Sequence, residues 1–353
     1  MKKKLVIGLA GAIGLTVTLA GCSSGGATGN ETVTTTSGQI AQSETVTTTS
    51  EQVAQSETTA VPVDIPSDIE VNEINFPDEI FREFVLYYVE TNENGMLDAN
   101  EIADCKYMDV CRMGYYTDIS SLKGIEYFTA LETLNCNGNK LSSLDVSKNT
   151  ALRILQCGGN NLSSLDVSKN MALETLECYS NNLSNLDVSK NTALTKLSCN
   201  SNNLSDLDVS NNSGLSELNC SENNLSRLDF NENLRHLWCS KNNLSSLDVS
   251  KNMALYTLVC DENNLSSLDV SKNTELNDVT FEPGGQTKEI TATNGEILLS
   301  DLSPDIIASN IKDLNGAFVR DDKLTNITGD TITYNYETGC EYHTMSVTLN
   351  VTK

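Results

Sequence analysis

Seven cysteines, Cys136, Cys157, Cys178, Cys199, Cys220, Cys239 and Cys260, recur in one frame, 21 residues apart except for one interval of 19. Thiols so spaced could pair as disulfides, hold metal ions, or fill a core as small apolar groups. The first two would make the row a site. The only histidines are His236 and His343, far apart in the chain. Acyl-transfer chemistry would need one of them beside a nucleophile and an orienting acid. Cys239 follows His236 by three residues, but strand alternation turns His236 outward and Cys239 toward the core. There is no glycine-rich phosphate loop, histidine pair or paired-cysteine motif. These residues point away from an enzyme.

The elements that carry the cysteines repeat. From Ala130, "ALETLNCNGNKLSSLDVSKNT" is followed by six further copies, the fifth copy two residues shorter than the others. Seven consecutive copies define a solenoid. The pattern resembles the leucine-rich repeat, L-x-x-L-x-L-x-x-N-x-L, with cysteine at the third leucine: Leu131, Leu134, Cys136, Asn139 and Leu141 in the first copy. A period of 21 is too short for a full convex helix. Each coil is expected to be a short parallel strand, a turn and a second short extended piece at "LDVS", with Leu131, Leu134, Cys136, Leu141, Leu144 and Val146 inward. Seven coils at about 4.8 Å make a stack on the order of 34 Å long.

That geometry decides among the three thiol chemistries. Inward-pointing parallel side chains cross poorly for disulfides, seven is odd, and a line of one thiol per coil does not converge on an ion. Small apolar filling is the expected role. The asparagine row (Asn139, Asn160, Asn181, Asn202, Asn223, Asn242, Asn263) should bond turn backbone, an amide offering two donors and an acceptor. The aspartate row (Asp145, Asp166, Asp187, Asp208, Asp229, Asp248, Asp269) should accept turn hydrogen bonds. One acid per coil is too sparse for calcium, although like charges about 5 Å apart repel by about 0.8 kcal/mol in water.

The chain opens "MKKKLVIGLAGAIGLTVTLAGCSSGG", with three lysines, a short apolar run and small residues, the layout of a secretory signal. "LAGC" resembles the lipobox of bacterial lipoproteins, which implies cleavage before Cys22, lipidation of its thiol and attachment to the membrane. Two acyl chains would be needed for a durable tether. Ser23 to about Asp68 is Ser/Thr/Gln/Glu-rich and reads as a disordered spacer, roughly 35–40 Å across as a coil. With 48 acidic against 23 basic residues and a net charge of −25, the chain lacks what phosphate neutralisation needs, so nucleic acid is not an expected partner.

Open solenoid ends need covers. Upstream, Pro77 and Asp78 open a predicted helix with Ile80, Phe81, Phe84, Val85 and Tyr88 on its apolar face. "ETNENGMLDANE", Glu90 to Glu101, resembles an EF-hand loop, with Glu90, Asn92, Asn94, the Met96 carbonyl, Asp98 and Glu101 in the ligand positions. Glu90 replaces the usual aspartate, and the competing reading is a tight turn with an Asp98–Glu101 capping box. A structural calcium is the only cofactor this suggests. Met108, Val110, Ile119, Leu122, Ile125 and Phe128 form a degenerate first rung, and the spacing of Cys105 and Cys111 fits a disulfide or two buried thiols, with the reduced form expected. Downstream, alternating segments from about Gln286 predict a small antiparallel, Ig-like β-unit.

The expected organisation is thus a signal peptide over 1–21, lipidated Cys22 and spacer over 22–68, a helical cap over 69–129, repeats with an exit rung over 130–285 and a β-rich cap over 286–353. The fold class is an α/β-type leucine-rich repeat solenoid with a parallel concave sheet and no full convex helices. The cysteine-substituted repeat with "LDVSKN" behind a helical cap resembles the internalin family over roughly Phe76 to Thr274. That resemblance implies adhesion or another surface contact with a protein or glycan. The concave face offers variable residues for it: Arg235, His236, Trp238, Tyr256 and Val259 gather in coils six and seven, and Tyr179 is a separate aromatic. Exposed Trp, Tyr and Arg most often carry interface energy. The competing reading of Trp238 is packing against the short fifth coil. A monomer displayed outside the cell is expected, acting as a binding module, with an envelope scaffold contacting cell-wall material or an inhibitor of external enzymes as alternatives.

Overall fold

The computed structural model describes residues 68–111, 118–277, 280–340 and 343–353. The signal peptide, Cys22, nearly all of the spacer and residues 112–117 of the first rung lie outside the described residues.

The N-terminal cap begins with β1 (Ile69–Glu70) and α1 (Glu79–Phe84). Asp78 caps α1, its Oδ1 accepting from the Ile80 and Phe81 amides at 3.1 Å each. Its Oδ2 accepts from Ser120 N and Oγ, both at 2.8 Å, and so ties the helix to the first rung. Past Phe84 the helix widens into a π-turn over Val85–Val89. Val89 is therefore buried and Tyr88 exposed, the reverse of an unbroken α-helical register. β2 (Met96–Leu97) pairs antiparallel with β1, and α2 (Ala99–Asp104) starts at a complete Asp98–Glu101 capping box.

Eight further short strands follow: β3 (Tyr107–Asp109), β4 (Thr133–Asn135), β5 (Ile154–Gln156), β6 (Thr175–Glu177), β7 (Lys196–Ser198), β8 (Glu217–Asn219), β9 (His236–Trp238) and β10 (Thr257–Val259). With β11 (Phe281–Glu282) they form a nine-stranded parallel sheet in sequence order. Leu134, Leu155, Leu176, Leu197, Leu218, Leu237 and Leu258 stand in register and are fully buried, as are all seven ladder cysteines. A strand of three residues buries one side chain per face crossing, so no coil has a core of its own and each packs on its neighbours.

The asparagine row bonds as its pattern required. Asn181 Nδ2 donates to the Cys157 and Cys178 carbonyls at 3.0 and 3.1 Å, and its Oδ1 accepts from Leu162 N at 2.9 Å. The opposite side of the coil departs from expectation. The "LDVS" segments are irregular apart from one isolated bridge between Asp208 and Asp229. Local turn bonds such as Asn149 N to Val146 O (3.0 Å) and Leu152 N to Asn149 O (3.1 Å) take the backbone groups that a ladder would need. A second asparagine row, Asn149, Asn170, Asn191, Asn212, Asn231, Asn252 and Asn273, lies buried here. Asn191 Nδ2 donates to Val167 O and Asn170 O, 2.9 Å each.

The C-terminal unit comprises β12 (Gly285–Thr291), β13 (Ile297–Leu298), α3 (Leu299–Leu302), β14 (Ile311–Asn315), β15 (Phe318–Arg320), β16 (Lys323–Thr325), β17 (Thr331–Glu337) and β18 (Thr344–Thr352). A four-stranded sheet, β12-β18-β17-β14, accompanies a three-stranded one, β13-β16-β15. The unit is not wholly antiparallel, because β12 and β18 run parallel over seven residue pairs. The chain visits the second sheet between them, so no hairpin forces opposite directions. Gln286 continues the asparagine row: its Oε1 accepts from Asn263 N and Leu265 N, and its Nε2 donates to Cys260 O. The buried Tyr334 hydroxyl donates to Ser266 O at 2.9 Å, and Val270 N to Thr338 O at 2.8 Å. Cap, repeats and β-unit thereby share one continuous core.

Candidate interaction surface

Residues flanking each inward leucine of β4 to β10 point away from the core and are half-buried. Parallel register lines up equivalent positions, so a side chain in one coil meets its counterpart in the next. In the first half these neighbours neutralise one another. Lys106 pairs with Glu132 at 3.2 Å and Arg153 with Glu174 at 2.6 Å. Gln156 Nε2 and Lys196 Nζ both donate to Glu177, at 2.8 and 2.7 Å. The hydrogen bond to Glu177 raises the Lys196 ammonium above its ordinary value against an opposing effect of burial. A 21-residue offset of opposite charges is the sequence signal for Arg153 and Glu174 alone, since the other two pairs lie 26 and 19 residues apart.

The aromatic residues gather at β9 and β10. His236 and Trp238 stack with ring centroids 5.8 Å apart and planes 12° from parallel. Tyr256 meets the imidazole edge-on, also at 5.8 Å. His236 Nδ1 lies 3.0 Å from Thr257 Oγ1, and register places Glu217 on its other side and Val259 beside Trp238. Trp238 is half-buried, whereas Arg235 and Tyr256 are exposed. Arg235 joins the neighbouring coils through its backbone, its amide donating to Ser216 O at 2.9 Å and its carbonyl accepting from Tyr256 N at 2.8 Å. His236, Trp238 and Tyr256 form one cluster with Arg235 and Val259 at its margins. Tyr179 is not part of it. It follows β6, three strands away, and its ring lies over Gly158, where a Cβ would come within 2.6 Å of it.

The other sequence-derived candidates are placed as follows. In the EF-hand-like loop, Glu101 Oε1 accepts from Thr91 N at 2.6 Å and Thr91 Oγ1 at 2.8 Å, and Oε2 from Asp98 N at 3.0 Å. Burial raises the Glu101 carboxyl, but these hydrogen bonds outweigh it and hold the group below its ordinary value. Glu90 accepts from Asn94 N, Asn92 from the same amide, Asn94 from Met96 N, and Asp98 from Asn100 N and Glu101 N. Met96 pairs with Glu70 across the small sheet. The oxygens thus serve the loop's own N–H groups, and among the described residues no three His, Cys, Asp or Glu side chains converge as a metal site.

The seven ladder cysteines are buried free thiols. Burial pushes Cys136 and Cys220 up to about 12, the opposite of a reactive or metal-ligating thiolate. Exposed Asp145, Asp166, Asp187, Asp208, Asp248 and Asp269 each accept from the serine amide two residues on at 2.9 Å. His343, the other histidine, packs edge-on against Phe281 at 5.9 Å.

One cavity had no sequence signal, because it forms between segments distant in the chain. A cleft of about 960 Å³ separates the last coils from the β-unit, lined among others by Asp248, Asp269, Lys288, Asp301, Ser303 and Tyr336. Lys288 Nζ donates to the Leu302 carbonyl, and burial lowers its ammonium below the ordinary value.

No family model matches the chain, and no curated protein matches it. Solved structures do. Internalin C2 of Listeria monocytogenes is 19% identical over 60% of this chain and 96% of its own, with a TM-score of 0.50. An internalin InlF of the same species is 21% identical, covering 66% and 82%, with a TM-score of 0.43. The functional domain of InlJ, also from Listeria monocytogenes and described as including a cysteine ladder, is 20% identical over 82% and 99%, with a TM-score of 0.25. The register of nine parallel strands together with the internalin C2 likeness gives this chain an internalin-like leucine-rich repeat fold.

Proposed function

We propose that this protein is a non-enzymatic interaction module, displayed outside the cell, that holds a partner protein on the outward face of its sheet at β9 and β10. The His236–Trp238–Tyr256 cluster carries the reading: apart from Tyr107, Ile154 and Tyr179 the rest of this face is mostly small, polar or ion-paired, and among the described residues of the face a set of aromatic rings in mutual contact is found here. Aromatic anchors surrounded by near-neutral contacts are how interfaces concentrate their energy. The signal-like N-terminus and "LAGC" support export and a lipid tether at Cys22. Among the described residues no helix is long and apolar enough to cross a membrane.

Pulldown with the mature chain from host-surface and bacterial-envelope extracts supplies the partner. The double substitution Trp238→Ala, Tyr256→Ala should then abolish binding and leave the melting temperature nearly unchanged, since neither side chain is in the core. Retained binding by the double variant refutes the assignment of the face. Binding to purified peptidoglycan that ignores the two substitutions would support an envelope scaffold instead. Replacing Cys22 by alanine should release the protein from the membrane fraction.

A further inference from the structure

The sheet carries four permanently cationic side chains on or beside strands β3 to β10: Lys106, Arg153, Lys196 and Arg235. Three have a glutamate of a neighbouring coil within 3.2 Å: Glu132, Glu174 and Glu177. Arg235 has no ion pair among the described residues. Its position in the repeat is that of Glu132, Arg153 and Glu174, where side chains of adjacent coils reach each other directly. In the coils next to Arg235 that position holds Ser216 and Tyr256, so its guanidinium stands exposed between a hydroxyl residue and an aromatic one. In a chain of net charge −25, a cation that the repeat leaves unmatched, beside the aromatic cluster, is a complementary seat for an acid brought from outside.

We propose that the corner formed by Arg235, His236, Trp238 and Tyr256 selects an acidic segment of the partner protein, an Asp or Glu carboxylate seated on Arg235 with an apolar neighbour against the aromatic rings. The proposal rests on the interaction face assigned above and adds the chemistry of its partner. An Arg–carboxylate pair is planar and bidentate, which specifies orientation as well as charge. A sugar ring is the poorer occupant. One indole face is covered by the stacked His236 and Tyr256 meets the imidazole edge-on, so the corner is ridged rather than a flat stacking platform. The surrounding acidic surface excludes acidic segments elsewhere and confines them to this corner.

Trp238 is the only tryptophan of the chain, so intrinsic tryptophan emission reports on this corner alone. The mature chain is titrated with three pools of short random peptides that differ at one central position, fixed as Glu, Gln or Lys, and with a uronic-acid oligosaccharide. The Glu pool should shift Trp238 emission at concentrations about five- to tenfold below those needed for the Gln pool, and the gap should narrow as salt is added. Arg235→Gln should equalise the two pools while weak binding persists, and Arg235→Lys should restore part of the preference. Equal response to the Glu and Gln pools overturns the acidic class while the interaction face stands. A response to the oligosaccharide alone overturns the protein partner. Silence of Trp238 to every probe overturns both.

Discussion

The two asparagine rows look alike in sequence, yet their geometry predicts opposite sensitivity to removal, and Asn181→Ala compared with Asn191→Ala is the decisive pair. Asn181 alone accepts from the buried Leu162 N–H, so its loss orphans a donor. The carbonyls that it serves keep other partners, Cys157 O retaining Asn160 and Cys178 O retaining Asn202. An orphaned buried donor costs about 1–3 kcal/mol and each lost net hydrogen bond about 1 kcal/mol, so Asn181→Ala should cost about 3–5 kcal/mol. Asn191 gives up two bonds whose acceptors are already served: Val167 O by Asn170 N and Asn170 O by Leu173 N. Its own Oδ1 is buried without a partner. Alanine removes that unpaired oxygen and regains about 1–3 kcal/mol, which nearly offsets the roughly 2 kcal/mol lost. Both substitutions delete the same atoms from a buried site, so the cavity contribution largely cancels in the comparison. Urea unfolding followed by circular dichroism, with unchanged slope as the check on cooperativity, should place Asn191→Ala about 2–6 kcal/mol above Asn181→Ala. Equal losses, or a greater loss for Asn191→Ala, would refute the argument from unmatched donors.

Three further outcomes follow from the same geometry. In the native protein the seven ladder thiols should resist a thiol reagent at neutral pH, and all seven should react once the chain is unfolded; prompt native reaction would show that the ladder is open to solvent. The melting temperature should be the same in calcium and in chelator, because Glu101 is engaged by Thr91 and Asp98; a clear rise with calcium would show that the loop rearranges around an ion. Asp78→Ala should destabilise by about 1–3 kcal/mol at neutral pH through loss of a helix cap and of the tie to Ser120. Burial raises the Asp78 carboxyl, but hydrogen bonds from Phe81, Ser120 and Ser121 outweigh it and leave the group below its ordinary 3.8. Its contribution is therefore complete above that value and lost as pH falls through the lower folded one, so variant and parent should converge in acid and nowhere else.

Much of this molecule is legible in its sequence because a solenoid repeats one local problem. The spacing of Leu134, Cys136 and Asn139 specifies a strand, an inward thiol and a turn whose backbone needs an amide, and each recurs unchanged. The Asp98–Glu101 capping box is legible for the same reason, since its partners lie three residues apart. Legibility fails where partners are distant or where two solutions share one pattern. "SKN" does not reveal that Asn149 and its equivalents are buried, since an asparagine in a polar turn reads as solvated. Nothing in "GGQTKEI" marks Gln286 as the last rung of the asparagine row, a role created by the arrival of β12 over Cys260.

The candidate site divides the same way. Period and alternation determine that Arg235, His236 and Trp238 belong to one strand segment, with His236 and Trp238 on its outward face, because side-chain direction along a strand is a local property. Only the tertiary register decides that Tyr256 closes on His236, that the ring of Tyr179 lies over Gly158, and that among the described residues Arg235 alone of the sheet's cations lacks a glutamate. Those facts depend on which residue of the neighbouring coil lies opposite.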